Sequence, residues 1–386
     1  MELEQLSSQT EKNYRPTWIE VDLSAVGHNV DQLRTKLKPR TQLLVPLKAN
    51  AYGHGALPVA RYLEKKGVDF FGVASIDEAV GLRREAIRTP ILILNTILDE
   101  EIGAVLDHDL TQTVCTDELA IHLNQRASRL GRKIPVHVKV DTGMGRIGVW
   151  HEEAADLIRF VKGLPNLELQ GLFTHLAHAD GTDPTATQDQ IASFQALVKR
   201  LEGERLMPPL LHVANSAALL AHPASHFNLV RPGLAVYGIS PFNEGQATLS
   251  LRPALSLKSR IIFLKKAQKG RRIGYGGTHI LKKETLIATL PIGYADGYNR
   301  LLSNRGEVLV RGSRAPVVGR VCMDQMMIDV GHIEGIARGE EVVLLGRQGR
   351  DEIRASEVAT ICHTIPYEVL CWLSSRIPRL YLNELL

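Results

Sequence analysis

Polar side chains follow several apolar segments of the sequence, and their chemical types are those of a reactive centre. Lys48 comes directly after the apolar residues 43–47. A lysine that apolar surroundings remove from water has a lowered pKa and can form a Schiff base with a carbonyl. Ser216 precedes the apolar residues 217–220, which is typical of a helix N-terminus. Such a terminus offers free N–H groups and a partial positive charge, both of which favour a bound phosphate.

A second group of residues leaves a metal site open as an alternative. His175, His178 and Asp180 follow an apolar segment with the spacing H-x-x-H-x-D, and barrel hydrolases use ligands of these types. The sequence contains no HExxH, no G-x-S-x-G and no phosphate-binding P-loop motif. Their absence disfavours the metalloprotease, serine-hydrolase and nucleotide-hydrolysing classes.

The elements that would position these residues alternate between apolar strands and amphipathic helices. The strand-like runs rich in Val, Ile, Leu and Phe lie at residues 42–47, 70–74, 91–94, 112–115, 136–140, 167–173, 210–213 and 228–231. Eight such strands with helices between them, over roughly 200 residues, fit a (β/α)8 TIM-type barrel better than an open doubly wound sheet. Because chemistry in a barrel lies at the carboxyl ends of the strands, Lys48, Ser216 and Arg231 would meet at one face.

The pattern changes after about residue 240. Short strand-like runs with glycine turns then replace the long helices, at residues 256–264, 285–290, 307–310, 315–318, 326–330 and 341–345. We therefore predict an α/β protein with a barrel over residues 16–243 and a C-terminal, mainly β domain over residues 244–386. Residues 1–15 would form a flexible tail, and residues 16–23 would pair with the second domain.

Composition is that of an ordinary globular protein, with 44% hydrophobic and 23% charged residues over 386 positions. The 46 basic and 42 acidic residues give a net charge of +4, which is too small to indicate a nucleic-acid partner. No apolar run approaches the ~18 residues of a membrane span, and the polar N-terminus lacks the plan of a signal peptide. The four cysteines show no CxxC spacing, so we expect reduced thiols in a cytoplasmic protein.

The sequence PLKANAYGHG at residues 46–55 resembles the pyridoxal-phosphate attachment motif of alanine racemases. The resemblance continues in order along nearly the whole chain, through WIEVDL at 18–23, KVDTGMGRIG at 139–148, TH at 174–175, ANSA at 214–217, RPG at 231–233, GYG at 274–276, GYADG at 293–297, GRVCMD at 319–324, PYEV at 366–369 and RIPR at 376–379. Each motif is moderately specific, and the ordered set is very specific. The resemblance implies a head-to-tail homodimer in which the second domain of one subunit completes the site of the other.

The resemblance also implies pyridoxal 5'-phosphate as the cofactor and no metal. Lys48 would hold the cofactor as an internal aldimine, and the other residues assigned to cofactor binding are Tyr52, Arg146, His175, Asn215, Ser216, Arg231, Gly233, Leu234 and Tyr367. Arg231 would face the pyridine nitrogen. Arg146 and the backbone N–H of Met323 would bind the substrate carboxylate. Lys139, in the family often a carbamate, would hold Arg146.

The function that the resemblance implies is the interconversion of L-alanine and D-alanine, which supplies D-alanine for peptidoglycan. Racemisation removes the Cα proton from one face and returns a proton to the other, so two bases on opposite faces are the simplest device. Lys48 would act on the D side and Tyr275, from the other subunit, on the L side. The ordinary pKa of tyrosine, about 10, is high for a base, and the resemblance places Tyr275 on His175, itself oriented by Arg231.

Three alternatives remain open from the sequence. One is a racemase of the same fold that acts on other amino acids or on a broader set; such relatives usually carry a secretion signal, which the polar N-terminus of this sequence does not resemble. Another is a cofactor-binding protein built on the same barrel, but such proteins lack a β domain and hence Tyr275 and Met323. The third is the metal-dependent hydrolase.

Overall fold

The computed structural model describes residues 14–242 and 249–384. The first thirteen residues of the predicted tail and the predicted boundary at 243/244 lie outside this range. The chain forms two compact units. One spans Leu23–Arg252 and is called the barrel unit below, and the other, called the β unit, joins the segment that ends at Asp22 to Pro253–Asn383.

Strands alternate with helices through most of the barrel unit, and strands predominate in the β unit. The strands are β1 (Thr17–Asp22), β2 (Gln42–Pro46), β3 (Phe70–Val73), β4 (Ile91–Ile93), β5 (Thr111–Val114), β6 (Ile134–Asp141), β7 (Val149–Trp150), β8 (Leu167–Phe173), β9 (Leu210–His212), β10 (Leu229–Val230), β11 (Leu255–Arg260), β12 (Phe263–Ala267), β13 (Arg272–Ile273), β14 (His279–Ile280), β15 (Thr285–Leu290), β16 (Glu307–Val310), β17 (Ser313–Pro316), β18 (Met326–Asp329), β19 (Glu341–Gln348), β20 (Asp351–Ile353) and β21 (Arg379–Leu382). The helices are α1 (Leu23–Arg34), α2 (Lys48–Tyr52), α3 (Ala56–Lys65), α4 (Ile76–Arg84), α5 (Ile102–Asp107), α6 (Asp117–Arg129), α7 (Ala154–Lys162), α8 (Thr185–Gly203), α9 (Ser216–Ala221), α10 (Ala355–Cys362) and α11 (Pro366–Cys371).

The barrel unit is a closed ring of eight parallel strands. The strand order is β5-β4-β3-β2-β10-β9-β8-β6, and parallel pairing of β5 with β6 closes the ring. Strands such as β3, β4 and β5 are buried along their whole length, because helices cover a parallel barrel from outside and side chains fill its interior. The predicted TIM-type barrel is therefore confirmed.

The described residues of the β unit form three sheets. The largest has the order β17-β16-β19-β11-β1-β21, with β20 added to β19. A second sheet has the order β12-β15-β18, and β13 and β14 form a hairpin. This part of the chain confirms a C-terminal, mostly β domain.

The N-terminal strand β1 belongs to the largest sheet of the β unit. It pairs antiparallel with β11 and parallel with β21, so residues 17–22 lie among strands that follow the barrel in sequence. Just before it, Arg15 donates two hydrogen bonds of 2.6 Å to the carboxylate of Asp296, which is fully buried.

The single strand predicted over residues 256–264 is wrong, because the structure has two strands there. β11 ends at Arg260 and β12 begins at Phe263, and the two belong to different sheets. Between them the hydrogen-bond partner changes: Ile261 N–H donates to the Glu340 carbonyl, whereas Ile262 N–H donates to the Thr289 carbonyl. The strand-like residues run on without a glycine or proline from 256 to 264, so the sequence does not show this change of partner. Across the described residues, no helix is long and apolar enough to span a membrane.

Candidate active site

Lys48 begins a left-handed turn at the carboxyl end of β2. Ala49, Asn50 and Ala51 have φ values of 53–54° and ψ values of 47–50°, and Tyr52 follows with φ 52°. The left-handed conformation costs an L-residue roughly 1–2 kcal/mol, so four residues in succession cost several kcal/mol. Neighbouring groups must stabilise this conformation.

Side chains bind the turn at both ends. The carboxylate of Glu78 accepts the Ala49 N–H at 2.7 Å, and Asn50 Oδ1 accepts the Ala56 N–H at 2.8 Å. His54 is fully buried, and its Nδ1 lies 3.0 Å and 2.9 Å from the carbonyl oxygens of Ala51 and Tyr52. A carbonyl only accepts, so His54 carries a proton on Nδ1.

The aromatic residues beneath the turn fix it to the barrel. The His54 ring stacks on Tyr237 with 4.5 Å between centroids, and the Tyr52 ring lies 5.1 Å from the same ring. The Tyr237 hydroxyl donates to the Pro46 carbonyl at 2.9 Å. The turn is thus attached to the last residue of the strand that leads to Lys48.

Arg231 is a buried guanidinium surrounded by neutral acceptors. It donates to the Thr174 and Val213 carbonyls at 2.7 Å and 3.1 Å. It also donates to His212 Nδ1 at 3.0 Å and to His175 Nδ1 at 3.3 Å. Burial lowers the pKa of Arg231 to about 9. Among the described residues no carboxylate forms an ion pair with it, so no described protein anion neutralises its charge.

The contacts of Arg231 determine which nitrogen of each neighbouring histidine carries the proton. A guanidinium only donates, so Nδ1 of both His175 and His212 must accept, and each neutral ring carries its proton on Nε2. His212 Nε2–H then donates to His137 Nδ1 at 2.8 Å. Burial first, and the positive charge of Arg231 second, lower the pKa of all three histidines. His175 therefore presents an Nε2–H donor from a neutral ring.

Lys139 lies buried in β6, close to other cations. Burial, then the charges of Arg146 and Arg231, lower the pKa of Lys139 to about 8. Its Nζ lies 5.4 Å from the centre of the Phe173 ring, and the Arg231 guanidinium lies 5.4 Å from the same ring. With this pKa, about a tenth of the amine is uncharged and nucleophilic at pH 7.

The loop that follows β6 is wound around the carboxylate of Asp141. Its oxygens accept four consecutive backbone N–H groups at 2.8–3.1 Å, those of residues 143–146. Burial alone would raise the pKa of Asp141, but these four donors lower it. Gly148 closes the loop with φ +130°, where a Cβ would lie 2.8 Å from the Asp141 nitrogen. The loop thereby fixes the backbone at Arg146, whose charge acts on Lys139.

Ser216 starts α9 and joins two elements of the predicted phosphate site. Its buried hydroxyl oxygen accepts the N–H groups of Gly233 and Ala235 at 2.9 Å and 3.2 Å. Its own hydrogen is therefore available to an acceptor at the helix N-terminus. Asn215 caps the helix through a 3.0 Å bond from the Ala218 N–H. Gly233 allows the Tyr52 hydroxyl to approach, because a Cβ there would lie 2.7 Å from it.

The remaining predicted site residues lie in the β unit. Tyr275 follows β13 in a short turn and is 71% exposed, and Met323 is 54% exposed. The Met323 carbonyl accepts the Ala295 N–H at 3.1 Å. Tyr367 lies in α11 and is half-buried. Both Tyr275 and Met323 are exposed, and tyrosine and methionine are enriched at protein interfaces.

The structure thus divides the predicted site residues between the two units. Within the barrel unit, hydrogen bonds connect Arg231 with His175. Others connect Ser216 with Gly233 and Ala235. The charges of Lys48, Arg146 and Lys139 act on His175. Leu234 follows Gly233 and is buried. Tyr275, Met323 and Tyr367 lie in the other unit. No group of three or more His, Cys, Asp or Glu side chains in the described part of the chain could hold a metal ion.

Sequence reasoning missed four residues that contact the predicted site. Glu78 binds the Lys48 turn, His212 and His137 extend from Arg231, and the buried Gln190 donates to the His175 carbonyl at 3.3 Å. The signal for the two histidines was a polar residue next to apolar residues within a strand. Glu78 and Gln190 lie on helices and carry no comparable signal.

Comparison with known proteins gives a consistent result over both units. Residues 21–241 match the family model described as the alanine racemase N-terminal domain, and residues 254–381 match that of the C-terminal domain. An alanine racemase of Desulfovibrio desulfuricans is 44% identical over 369 residues, covering 96% of this chain and 99% of that protein.

Solved structures are similar over the same length. An alanine racemase of Clostridium difficile has a TM-score of 0.90 and 38% identity, covering 96% of this chain and 97% of that one. An alanine racemase of Bartonella henselae with covalently bound pyridoxal phosphate has a TM-score of 0.85 and 28% identity, covering 95% of this chain and 99% of that one.

The barrel with its strand-end lysine and the C-terminal β domain are the architecture of a class of pyridoxal-phosphate-dependent isomerases. Within that class, this chain belongs to the alanine racemase family. The family depends on pyridoxal phosphate, and the hydrolase alternative is therefore not supported. Nor is the broader-specificity racemase favoured, since these relatives are alanine racemases.

The residues of the barrel unit fit this cofactor. An anionic phosphate suits the N-terminus of α9 and the Ser216 hydroxyl. A pyridine nitrogen that carries no proton suits Arg231, which can only donate. Lys48 carries a primary amine, the group that an aldehyde cofactor requires.

Proposed function

We propose that this chain interconverts L-alanine and D-alanine, with Lys48 and Tyr275 as the two acid–base residues. The observation that carries the proposal is Arg231, a buried guanidinium that donates to two histidines and two carbonyls at the carboxyl ends of the barrel strands. Pyridoxal phosphate, when bound, supplies a conjugated system that stabilises negative charge at the substrate Cα. Arg231 limits that stabilisation, because it cannot give a proton to the ring nitrogen as a carboxylic acid would. Side reactions such as transamination should be suppressed as a result.

Lys48 would exchange a proton at Nζ on the D face of alanine. Its place at the start of the left-handed turn holds the amine at the end of β2. Its charge contributes to the lowered pKa of His175, which indicates that the amine and that imidazole share one electrostatic environment.

Tyr275 would exchange a proton at its phenol oxygen on the L face. His175 supports this role because its neutral ring carries the proton on Nε2 and can donate it to a phenolate in a hydrogen bond. A phenol that approaches His175 would also approach the cations that act on this imidazole, Arg231 foremost. Since Tyr275 is 71% exposed in the β unit, we propose that a second copy of the chain contributes it, as a homodimer.

Arg146 and the backbone N–H of Met323 would bind the substrate carboxylate. We propose that Lys139 is converted to a carbamate and that this carbamate fixes Arg146. The neutral amine attacks carbon dioxide, an N–C bond forms, and one N–H proton leaves, so a buried cation becomes an anion. The lowered pKa of Lys139 supports this reaction, and Arg146 would pair with the product.

The phosphate of the cofactor would be bound by Tyr52, Ser216, the backbone at Gly233 and Leu234, and Tyr367, with Asn215 nearby. The first four of these positions lie in the barrel unit, where Ser216 Oγ already binds the Gly233 N–H. We also propose a cytoplasmic enzyme whose product supplies D-alanine for peptidoglycan.

The proposed substrate is tested by measuring the racemisation of a panel of L-amino acids, with circular dichroism as the readout. We expect rapid loss of signal with alanine and little with larger or charged side chains. Similar rates across the panel would contradict the assignment to alanine.

Mixed dimers test the shared site. Tyr275→Phe and Lys48→Ala should each be nearly inactive, and the mixture should recover activity, because one site of each mixed dimer is intact. Tyr14→Phe, at a tyrosine that is 86% exposed, is the matched control and should remain active. No recovery in mixtures shown to exchange subunits would contradict a site built from two chains.

A further inference from the structure

Glu78 binds the turn that carries Lys48 and joins it to the neighbouring strand. Its side chain leaves the first turn of α4 and reaches the ends of β2 and β3. Oε1 accepts the Ala49 N–H at 2.7 Å, and Oε2 accepts the Ala74 N–H at 2.8 Å. Both carboxylate oxygens are therefore used, and the residue after Lys48 is tied to the residue after β3.

The position of this carboxylate is set by the barrel. Ser75 caps α4, since its hydroxyl oxygen accepts the Glu78 N–H at 3.3 Å. Strands β2 and β3 pair in parallel, with Pro46 opposite Gly72. The helix cap and the strand pairing therefore place Glu78 at the two strand ends through contacts other than those with the turn.

Ala49 is the first residue of the turn in the left-handed conformation. It is exposed and has φ 53° and ψ 47°, a conformation that alanine rarely adopts. A hydrogen bond from a backbone N–H to a carboxylate is shorter and stronger than one between neutral groups. The bond to Glu78 therefore favours the N–H direction that the left-handed conformation requires, and without it a right-handed conformation becomes accessible.

We propose that Glu78 is a positioning residue for Lys48, which keeps the turn left-handed so that Nζ is placed for bonding to pyridoxal phosphate. The inference rests on the proposed function, because only that function makes Lys48 the attachment site. In the bonding step Nζ attacks the aldehyde carbon, a C=N bond forms, and the aldehyde oxygen leaves as water. Glu78 takes no part in this chemistry and acts through the Ala49 N–H.

Cofactor binding to apoprotein tests the proposal without measuring racemisation. Apoprotein is titrated with pyridoxal phosphate, and the adduct is reduced with borohydride and located by peptide mass mapping. Glu78→Ala should weaken cofactor affinity by about tenfold, the factor that a lost charge-assisted hydrogen bond typically produces. Asp77→Ala is the matched control, since Asp77 is an exposed carboxylate on the same turn of α4, and it should bind the cofactor like the parent chain.

A glycine rescue separates positioning from general stability. In the Glu78→Ala background, Ala49→Gly should restore most of the affinity, because glycine adopts the left-handed conformation without the steric cost. Ala86→Gly should not restore it, although Ala86 is also exposed and left-handed, with φ 62°. Both glycine substitutions should raise the free energy of unfolding by similar amounts.

The outcomes distinguish the two proposals. Parent-like affinity in Glu78→Ala, or equal rescue by Ala86→Gly, would overturn the role of Glu78 while leaving the proposed function intact. A parent chain that forms no borohydride-stable adduct at Lys48 would overturn the proposed function itself. Should Glu78→Ala fail to fold, Glu78→Gln, which keeps the length and one acceptor oxygen, takes its place in the same set.

Discussion

Gly171 leaves room for the ring of His137, the last residue in the series of hydrogen bonds that runs from Arg231 through His212. Gly171→Ala should break the bond between the two histidines. Gly171 lies in β8 with the His137 ring packed directly over its Cα. An added Cβ would lie 2.6 Å from both Cγ and Cε1 of that ring and closer still to Nδ1. Atoms do not approach so closely, so the ring or the strand must move.

The cost follows from the two contributions that the structure identifies. Overpacking a close-packed interior costs about 1–3 kcal/mol. Displacing His137 also removes the 2.8 Å bond that its Nδ1 makes with His212 Nε2. A buried donor left without an acceptor costs a further ~1–3 kcal/mol. Gly171→Ala should therefore lower the free energy of unfolding by about 2–6 kcal/mol.

Urea unfolding of single and double variants measures this cost. In a His137→Ala background the ring is absent, and the same Gly171→Ala change should cost little. Gly81→Ala is the matched control: Gly81 lies within α4 with nothing within 4 Å of an added Cβ. It should stabilise the protein by about 0.5–1 kcal/mol. Equal costs for Gly171→Ala in both backgrounds would refute a clash with His137.

Three further predictions concern the same site. The free energy of unfolding should fall as the pH drops below about 6.5, by up to ~1.4 kcal/mol per pH unit for each buried histidine. The reason is that His137, His175 and His212 have lowered pKa values in the folded state and stay neutral there, whereas unfolded histidine takes up a proton. Urea unfolding between pH 8 and pH 4 measures this, and a flat profile would contradict neutral histidines. Gly148→Ala should raise the KM for alanine about tenfold or more, because residue 148 has φ +130° and its Cβ would lie 2.8 Å from the Asp141 nitrogen and displace the loop that carries Arg146. Gly131→Ala is the control, since there is room for a Cβ at that position, and it should leave the KM unchanged. Equal effects of the two substitutions would argue against a local cause. With labelled bicarbonate, Lys139 should give a carbamate signal in 13C NMR, and this signal should grow as the pH rises through about 8, where the Lys139 amine loses its proton. The signal should be absent in Lys139→Ala, and a signal that persists in that variant would belong to another residue.

The barrel could be predicted because its strands are short apolar runs separated by helices. A parallel strand covered on both faces needs such a run, so β2 and β3 were recognisable in the sequence. Once the barrel was predicted, the rule that chemistry lies at the carboxyl ends of strands selected Lys48 and Arg231. The second domain was harder, since the change of sheet between β11 and β12 depends on hydrogen-bond partners distant in sequence.

The conformation of the Lys48 turn could not be predicted. Residues 49–52 contain no glycine, and local preference disfavours a left-handed conformation at each of them. Glu78 is 29 residues from Ala49 in the sequence and looks like an ordinary acidic residue in the first turn of a helix. The partners of His137 and His212 likewise depend on the register between β6, β8 and β9. These features arise from tertiary packing, which periodicity does not report.

Deuterium incorporation in single turnovers tests the two-base mechanism most directly. The Tyr275→Phe variant is mixed with L-alanine or with D-alanine in heavy water, and exchange at Cα is followed by mass spectrometry. Tyr275 serves only the L face in this mechanism, so exchange from L-alanine should be lost while exchange from D-alanine, which Lys48 carries out, continues. Equal losses from both enantiomers would contradict the assignment of one base to each face.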